Sequence, residues 1–145
     1  MSKKVPDSED PERVFGETPY VTKTQGVKIM VWPVYDEERS RPYDSVFFYE
    51  YFIKIVNESN EVVQLINRHW TIGDGFERVE EVKGDGVVGH QPTLGPGETF
   101  HYSSYCPLRT PTGWMSGAFG MRNKADLRFE AKIDRFYLKN KMMLN

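Results

Sequence analysis

Lys83-Gly84-Asp85-Gly86-Val87-Val88-Gly89-His90-Gln91-Pro92-Thr93-Leu94-Gly95-Pro96-Gly97-Glu98 is the stretch whose reading decides the fold. Gly84, Gly86 and Gly89 spell GxGxxG, the string that cradles a pyrophosphate in dinucleotide-binding folds. That chemistry requires a strand before the string, a helix after it, and an acidic residue about 20 positions on. Pro92, Gly95, Pro96 and Gly97 follow instead, and a helix neither starts nor continues through such a run. The parallel-sheet reading fails on local physics. What remains is a glycine-rich connection between strands, whose N–H groups are a candidate anion cradle.

Outward from this stretch the chain alternates with a period of two. Between Ser45 and Asn57, Phe47, Tyr49, Tyr51, Ile53 and Ile55 fall on one face and Phe48, Glu50, Phe52, Lys54 and Val56 on the other; no helical face collects them as well. Upstream, Val27, Ile29 and Val31 share a face, and Pro33 marks an edge or a strand end. The intervening Asp36–Asp44 is charged, carries Pro42, and predicts a solvated loop. Downstream of the Asn57–Asn60 turn, Val63 and Leu65 take one parity and Ile66, Trp70 and Ile72 the other, which predicts a bulge around Ile66–Arg68. Asp74-Gly75 predicts a hairpin turn and Glu77–Val82 the returning strand. Thr99–Tyr105, Trp114–Met121 and a last segment with Leu127, Phe129, Ala131 and Ile133 inward complete seven or more short strands. The expectation is an all-β, two-sheet antiparallel sandwich spanning residues 20–139. Residues 1–19, polar with Pro6, Pro11 and Pro19, predict a flexible tail, and 140–145 a short second one.

Composition narrows the function classes. The 145 residues suffice for one core, and 14% are aromatic, which suits a sheet interior. A net charge of −2 with interleaved signs gives no basic footprint for nucleic acid. The single cysteine, Cys106, excludes an internal disulfide and fits a reducing compartment. No apolar run reaches the roughly 20 residues of a membrane span, and Asp7, Glu9, Asp10, Glu12 and Glu17 argue against a cleaved presequence. A soluble, cytoplasmic protein is the expectation.

From Val62 to Phe119 the residues resemble the ApaG family (DUF525 domain). The resemblance rests on Val63-Gln64-Leu65, Arg68-His69-Trp70-Thr71-Ile72, Glu81-Val82, Gly84-Asp85-Gly86-Val87-Val88-Gly89, Pro92-Thr93-Leu94, Pro96-Gly97-Glu98, Phe100-His101-Tyr102-Ser103-Ser104 and Thr110-Pro111-Thr112-Gly113-Trp114-Met115-Ser116-Gly117. It implies an immunoglobulin-like sandwich of the fibronectin type III kind. It also implies three functional threads: a cobalt/magnesium efflux label on bacterial members, a proposed pyrophosphate role for the glycine string, and protein-interaction use in eukaryotic F-box and polymerase-delta-interacting proteins. The loop from Asp36 to Asp44, the acidic leader and Trp114 depart from compact bacterial members.

Each candidate site has two readings. Gly84, Asp85, Gly86 and Gly89, with Arg68 or Lys83 completing the charge, form a phosphate nest or else a sharp turn crossing between the sheets, with Val87 and Val88 plugging the core; Asp85 opposes an anion. His69, His90 and His101 lack metal-ligand spacing, so no metal or cofactor is expected. Ser103, Ser104 and Cys106 lack a nucleophile's surroundings, so no catalytic residue is expected. Trp114 is opposite in parity to Met115, Phe119 and Met121. It either anchors a partner, with Thr110, Arg39, Arg41 and Tyr43 on the neighbouring loops, or covers an adjacent strand. The reading that follows is a non-enzymatic module binding another protein, with nucleotide or pyrophosphate sensing at Gly84–Gly89 as the alternative and self-association through sheet edges open.

Overall fold

The computed structural model describes residues 9–15 and 18–140. The alternation around Ser45–Asn57 produces its central strand. Among the described residues nine strands form: β1 (Tyr20–Thr24), β2 (Val27–Tyr35), β3 (Phe47–Asn57), β4 (Val63–Asp74), β5 (Val79–Asp85), β6 (Thr93–Leu94), β7 (Thr99–Leu108), β8 (Gly113–Asn123) and β9 (Arg128–Leu138). One antiparallel sheet runs β1-β2-β3-β7; the other runs β5-β4-β8-β9, with β6 also on β4. β3 buries every second residue from Phe47 to Asn57, as period two requires of a strand with one face on a core. Trp70 of β4 is the hub between the layers. Its ring centroid lies 5.4 Å from Tyr51, 6.0 Å from Phe119 and 6.1 Å from Phe136, with interplanar angles of 64°, 87° and 88°. Such edge-to-face pairs add about 0.5–1.5 kcal/mol each beyond the area they bury.

The bulge expected in β4 falls between Leu65 and Asn67, where its register with β8 shifts. It restores Trp70 to the face that Val63 and Leu65 occupy. Opposite this bulge the edge strand makes its own detour. Gly86 N–H donates to Ile66 O at 2.8 Å, and Leu65 N–H to Pro92 O at 3.0 Å. The glycine string therefore keeps the chain on one edge of β4, from β5 to β6. The crossing to the other sheet, expected at Gly84–Gly89, occurs at Gly95–Glu98, where Gly97 (φ 80°) donates to Asn57 O. β5 is correspondingly longer than expected and runs through Gly84 to Asp85.

Two further expectations change. The last strand does not alternate throughout: Leu127 is exposed, and the register with β8 shifts between Met115 and Gly117, so Ile133, Phe136 and Leu138 are buried while Asp134 and Arg135 both face out. A bulge with two consecutive outward residues is what lets Phe136 return to the core. The expected tails lie outside the described residues at 1–8, 16–17 and 141–145. Residues 10–15, however, do have something to bury. A four-residue helix, α1 (Pro11–Val14), capped by Asp10, sits on the outer face of the β1-β2-β3-β7 sheet. Pro11 is buried there, and Phe15 lies 6.2 Å from the Trp32 ring and 4.9 Å from Phe52.

The sheets close on one another along one side. The threonines of β1 receive the open edge of β9: Lys132 N–H donates to Thr24 Oγ1 at 3.2 Å and Asp134 N–H to Thr22 Oγ1 at 3.1 Å. On the other side, β5 pairs only with β4.

Candidate functional site

The glycine turn is built around Arg68. Its register partner on β5 is Gly84. The guanidinium passes so close that a Cβ on Gly84 would come within 2.8–2.9 Å of it. Arg68 Nη1 donates to Asp85 O and Gly86 O, both at 2.9 Å. The turn thus offers carbonyls to Arg68, and the arginine serves the loop backbone. Gly86 (φ 61°), Val88 (φ 45°) and Gly89 (φ 82°) adopt left-handed backbone, and a Cβ on Gly86 would meet His90 O at 2.4 Å. Gly86 N–H is bonded to Ile66, while Val87 and His90 exchange N–H···O bonds of 2.8 Å. Three of the amides that a nest would present are therefore engaged inside the turn. Val87 is fully buried and Val88 packs against the core. Lys83 lies in register with His69, one residue out of phase with Arg68 and Gly84, so it faces the other side of the sheet. The structure brings together Arg68, Gly84, Asp85 and Gly86, and it leaves Lys83 apart.

The end of the sandwich away from the glycine turn gathers three connections: the β2–β3 loop, the β4–β5 hairpin and the β7–β8 turn. Thr110 belongs to the last and is 3% exposed. Its Oγ1 donates to Thr112 O and accepts from Gly75 N–H, both at 2.8 Å. Thr110 fastens one turn to another, which corrects its expected role as a contact residue. Arg39 folds back on its own sheet: Nη1 donates to Asp36 Oδ2 at 2.7 Å and to Tyr105 Oη at 2.9 Å, with the guanidinium 4.7 Å from the Tyr105 ring. Burial raises the Asp36 carboxyl, but the hydrogen bonds and charge of Arg39 outweigh it and hold it below its usual range. Arg41 and Tyr43 are exposed, Arg41 at the N-cap of a 3-10 turn (Pro42–Asp44) and Tyr43 within it.

Trp114 is half-buried on the outer face of the β5-β4-β8-β9 sheet. Its indole lies on Gly73, where a Cβ would stand 2.1 Å from the ring. Covering the neighbouring strand is thus part of its role. Above it, the Arg135 guanidinium is 3.7 Å from the ring centroid. Strict alternation conceals this partner. The spacing of Ile133, Phe136 and Leu138, which requires an extra residue between them, was the available signal. Register continues the row on both sides: Gly73 opposes Val79, and Trp114 opposes Tyr137. Val79 is 57% and Tyr137 47% exposed, and Phe76, 70% exposed, stands at the adjoining hairpin turn.

The groups with nucleophile or ligand chemistry are not gathered. Burial, with the Glu80 charge second, pushes the Cys106 thiol up to about 12, the opposite of what an attacking thiolate needs. His69 Nε2 pairs with Glu81 Oε1 at 2.6 Å on the outer face of β4 and β5, whereas His90 packs 5.8 Å from the Phe100 ring. Among the described residues no group of three or more His, Cys, Asp or Glu could hold a metal, and none of the helices is long and apolar enough to cross a membrane.

Two antiparallel sheets of this topology around a strand tryptophan define a β-sandwich of the immunoglobulin-like, fibronectin type III kind. The ApaG domain family (DUF525) matches residues 37–123. Protein ApaG from Methylobacterium radiotolerans and Protein ApaG from Mesorhizobium japonicum are each 47% identical over 119 residues, covering 82% of this chain and 92% of theirs. The chain belongs to the ApaG family. The crystal structure of a Bordetella pertussis protein described as ApaA superposes with a TM-score of 0.78 at 40% identity, over 86% of this chain and 98% of that one. The C-terminal domain of wzt shares the fold alone, with a TM-score of 0.50 at 12% identity over 94% of this chain and 88% of that one.

Proposed function

We propose that this domain is a non-enzymatic protein-interaction module, and that it meets its partner with the row Val79, Trp114, Arg135 and Tyr137 on the outer face of the five-stranded sheet. The observation that carries the reading is Arg135 stacked at 3.7 Å on a half-buried Trp114, with two exposed apolar side chains in register beside it. Tryptophan, tyrosine and arginine are the residue types that dominate binding energy at interfaces. Stacking pre-orients the guanidinium while leaving its N–H edge open to a partner carboxylate. The partner chemistry that fits is a protein surface with an apolar anchor beside an acidic residue. The reading rests on this geometry together with the interaction uses that the family resemblance implies.

The deciding experiment is affinity capture from the native cell with three full-length baits: the unaltered chain, Trp114→Ala and Arg135→Glu. Both substitutions are expected to remove the same specific partner while the melting temperature stays within a few degrees. Retention of every specific partner by both variants would end the proposal. What supports a structural role for the glycine turn is that Gly86, Val87 and His90 N–H are already bonded and Arg68 is held by Asp85 and Gly86 carbonyls. Millimolar phosphate or pyrophosphate is accordingly expected to leave the amide resonances of residues 84–89 unmoved, and saturable shifts there would favour ligand sensing.

A further inference from the structure

The outer face of the four-stranded sheet holds a segment of this same chain in a groove of aromatic and charged side chains. Trp32 and Phe52 lie side by side in register on β2 and β3, with Lys54 one step along on the same face. Onto them sits the segment Asp10-Pro11-Glu12-Arg13-Val14-Phe15. Phe15 contacts both rings. Lys54 Nζ bridges Asp10 Oδ2 at 2.7 Å and Glu12 Oε1 at 2.8 Å, with only 11% of the lysine side chain exposed. The segment is self-contained in its backbone. Glu12 N–H is held by the Asp10 side chain, Arg13 and Val14 N–H by Asp10 O, and Phe15 N–H by Pro11 O. These hydrogen bonds close within the segment, and the contacts of Phe15 and the Lys54 ion pairs seat it on the sheet.

A four-residue helix is too short to be stable by itself. Its seat therefore rests on one aromatic slot and one buried ammonium. We propose that this groove is a docking site for an acidic helical turn that ends in phenylalanine, two carboxylates two residues apart with the aromatic three residues after the second. Residues 10–15 are its intramolecular occupant, and a segment of the same chemistry on a partner protein takes the groove when they leave. Trp32 is a nearly inaccessible outward-facing side chain, and vacating the groove bares it beside Phe52 as apolar surface of the kind that marks an interaction site. The groove lies on the opposite layer from Trp114, so this inference and the proposed function stand or fall separately.

The probe is the acetylated, amidated heptapeptide Glu9–Phe15, titrated into the full-length chain while the amide signals of Trp32, Phe52 and Lys54 are followed by NMR. A tethered segment competes at an effective concentration in the millimolar range. The unaltered chain is therefore expected to take up the peptide at least tenfold more weakly than a full-length Asp10→Lys, Phe15→Ala variant. Adding Lys54→Glu to that variant is expected to remove the uptake. Glu12→Lys alone, which leaves Phe15 seated, supplies a milder comparison in case the double variant is poorly folded, with uptake intermediate between the two. Equal uptake by the unaltered chain and both loosened variants, or no shift at those three amides in any of them, overturns the proposal.

Discussion

The two outer faces of the sandwich carry the same kind of side chain and treat it in opposite ways. On the four-stranded sheet Trp32 and Tyr105 point away from the core, yet both are buried, because the chain folds Phe15 after α1 over the first and Arg39 of the Asp36–Asp44 loop over the second. On the five-stranded sheet Val79, Trp114 and Tyr137 also point away from the core; Arg135 lies over the Trp114 ring, and among the described residues Val79 and Tyr137 stay exposed. Exposure is therefore set by what the connections cover. The covered face belongs to stability as long as its cover stays in place, and the bare face is the one proposed above to meet a partner. Truncating one tryptophan on each face separates them most sharply. Trp32→Ala is expected to cost about 3–5 kcal/mol, the range for emptying a buried aromatic site, read as a lower urea midpoint at constant slope. Trp114→Ala is expected to cost about 1 kcal/mol or less and to act on binding instead. Equal costs would erase the distinction between the faces.

The bare face can also be disturbed from beneath. Gly73→Ala places a methyl group where the Trp114 ring now lies. The indole must swing off the strand, at about 1–3 kcal/mol for an overpacked site. Red-shifted tryptophan emission and a lost partner are the expected readouts. Unchanged emission would mean that Gly73 is not what seats Trp114.

Acid sharpens the comparison from the covered side. Burial raises the Asp10 carboxyl, but the hydrogen bond from Lys54, the Glu12 N–H and the charges of Lys54 and His101 outweigh it, leaving the group below its usual value. Burial likewise lowers Lys54, and its bonds and charges with Asp10 and Glu12 more than restore it upward. A depressed carboxyl stabilises the docked state fully above its unfolded pKa of about 3.9, and that contribution is lost as pH falls through the lower folded value. The raised lysine contributes below about 10.4 and fails only in strong base. The Lys54 and Phe15 resonances should thus report a docked α1 from pH 5 to 9 and its release below about pH 4, with the Trp114 signals unmoved. Release at pH 6 would point to a different group.

Much of this arrangement was legible in the residues. The strict alternation of β3 decided the fold, and Pro92 to Gly97 excluded the nucleotide fold that Gly84–Gly89 suggests. The conflict of parity between Leu65 and Trp70 located a bulge. What escaped was tertiary. Parity cannot say which outward face will be covered, so Trp32 and Trp114 read alike. A six-residue docked segment with one aromatic side chain has no periodicity to notice, and α1 was taken for tail. The glycine string was placed at the crossing between sheets because positive φ marks a turn without giving its direction; the direction came from the Ile66 carbonyl, bare at the bulge of the neighbouring strand. Arg135 was hidden because a bulge in β9 is visible only when Ile133, Phe136 and Leu138 are read together.

Between the faces, where both layers provide full cover, the smallest effect is expected, and with the opposite sign. The Tyr102 hydroxyl is buried without a hydrogen-bond partner, and burial, then the neighbouring Tyr51, pushes its ionisation well above the ordinary value despite the Arg68 charge. A buried unpaired polar group costs about 1–3 kcal/mol, whereas its removal in a side chain of the same shape is neutral or stabilising. Tyr102→Phe keeps the ring against Phe100 and Phe119 and removes only the orphaned oxygen. The unfolding free energy read from the urea midpoint should hold or rise by up to about 1 kcal/mol, unlike every truncation on either face. A loss of about 1 kcal/mol would instead reveal that a trapped water pairs this hydroxyl, and the interior near Arg68 would then be wet where the packing makes it dry.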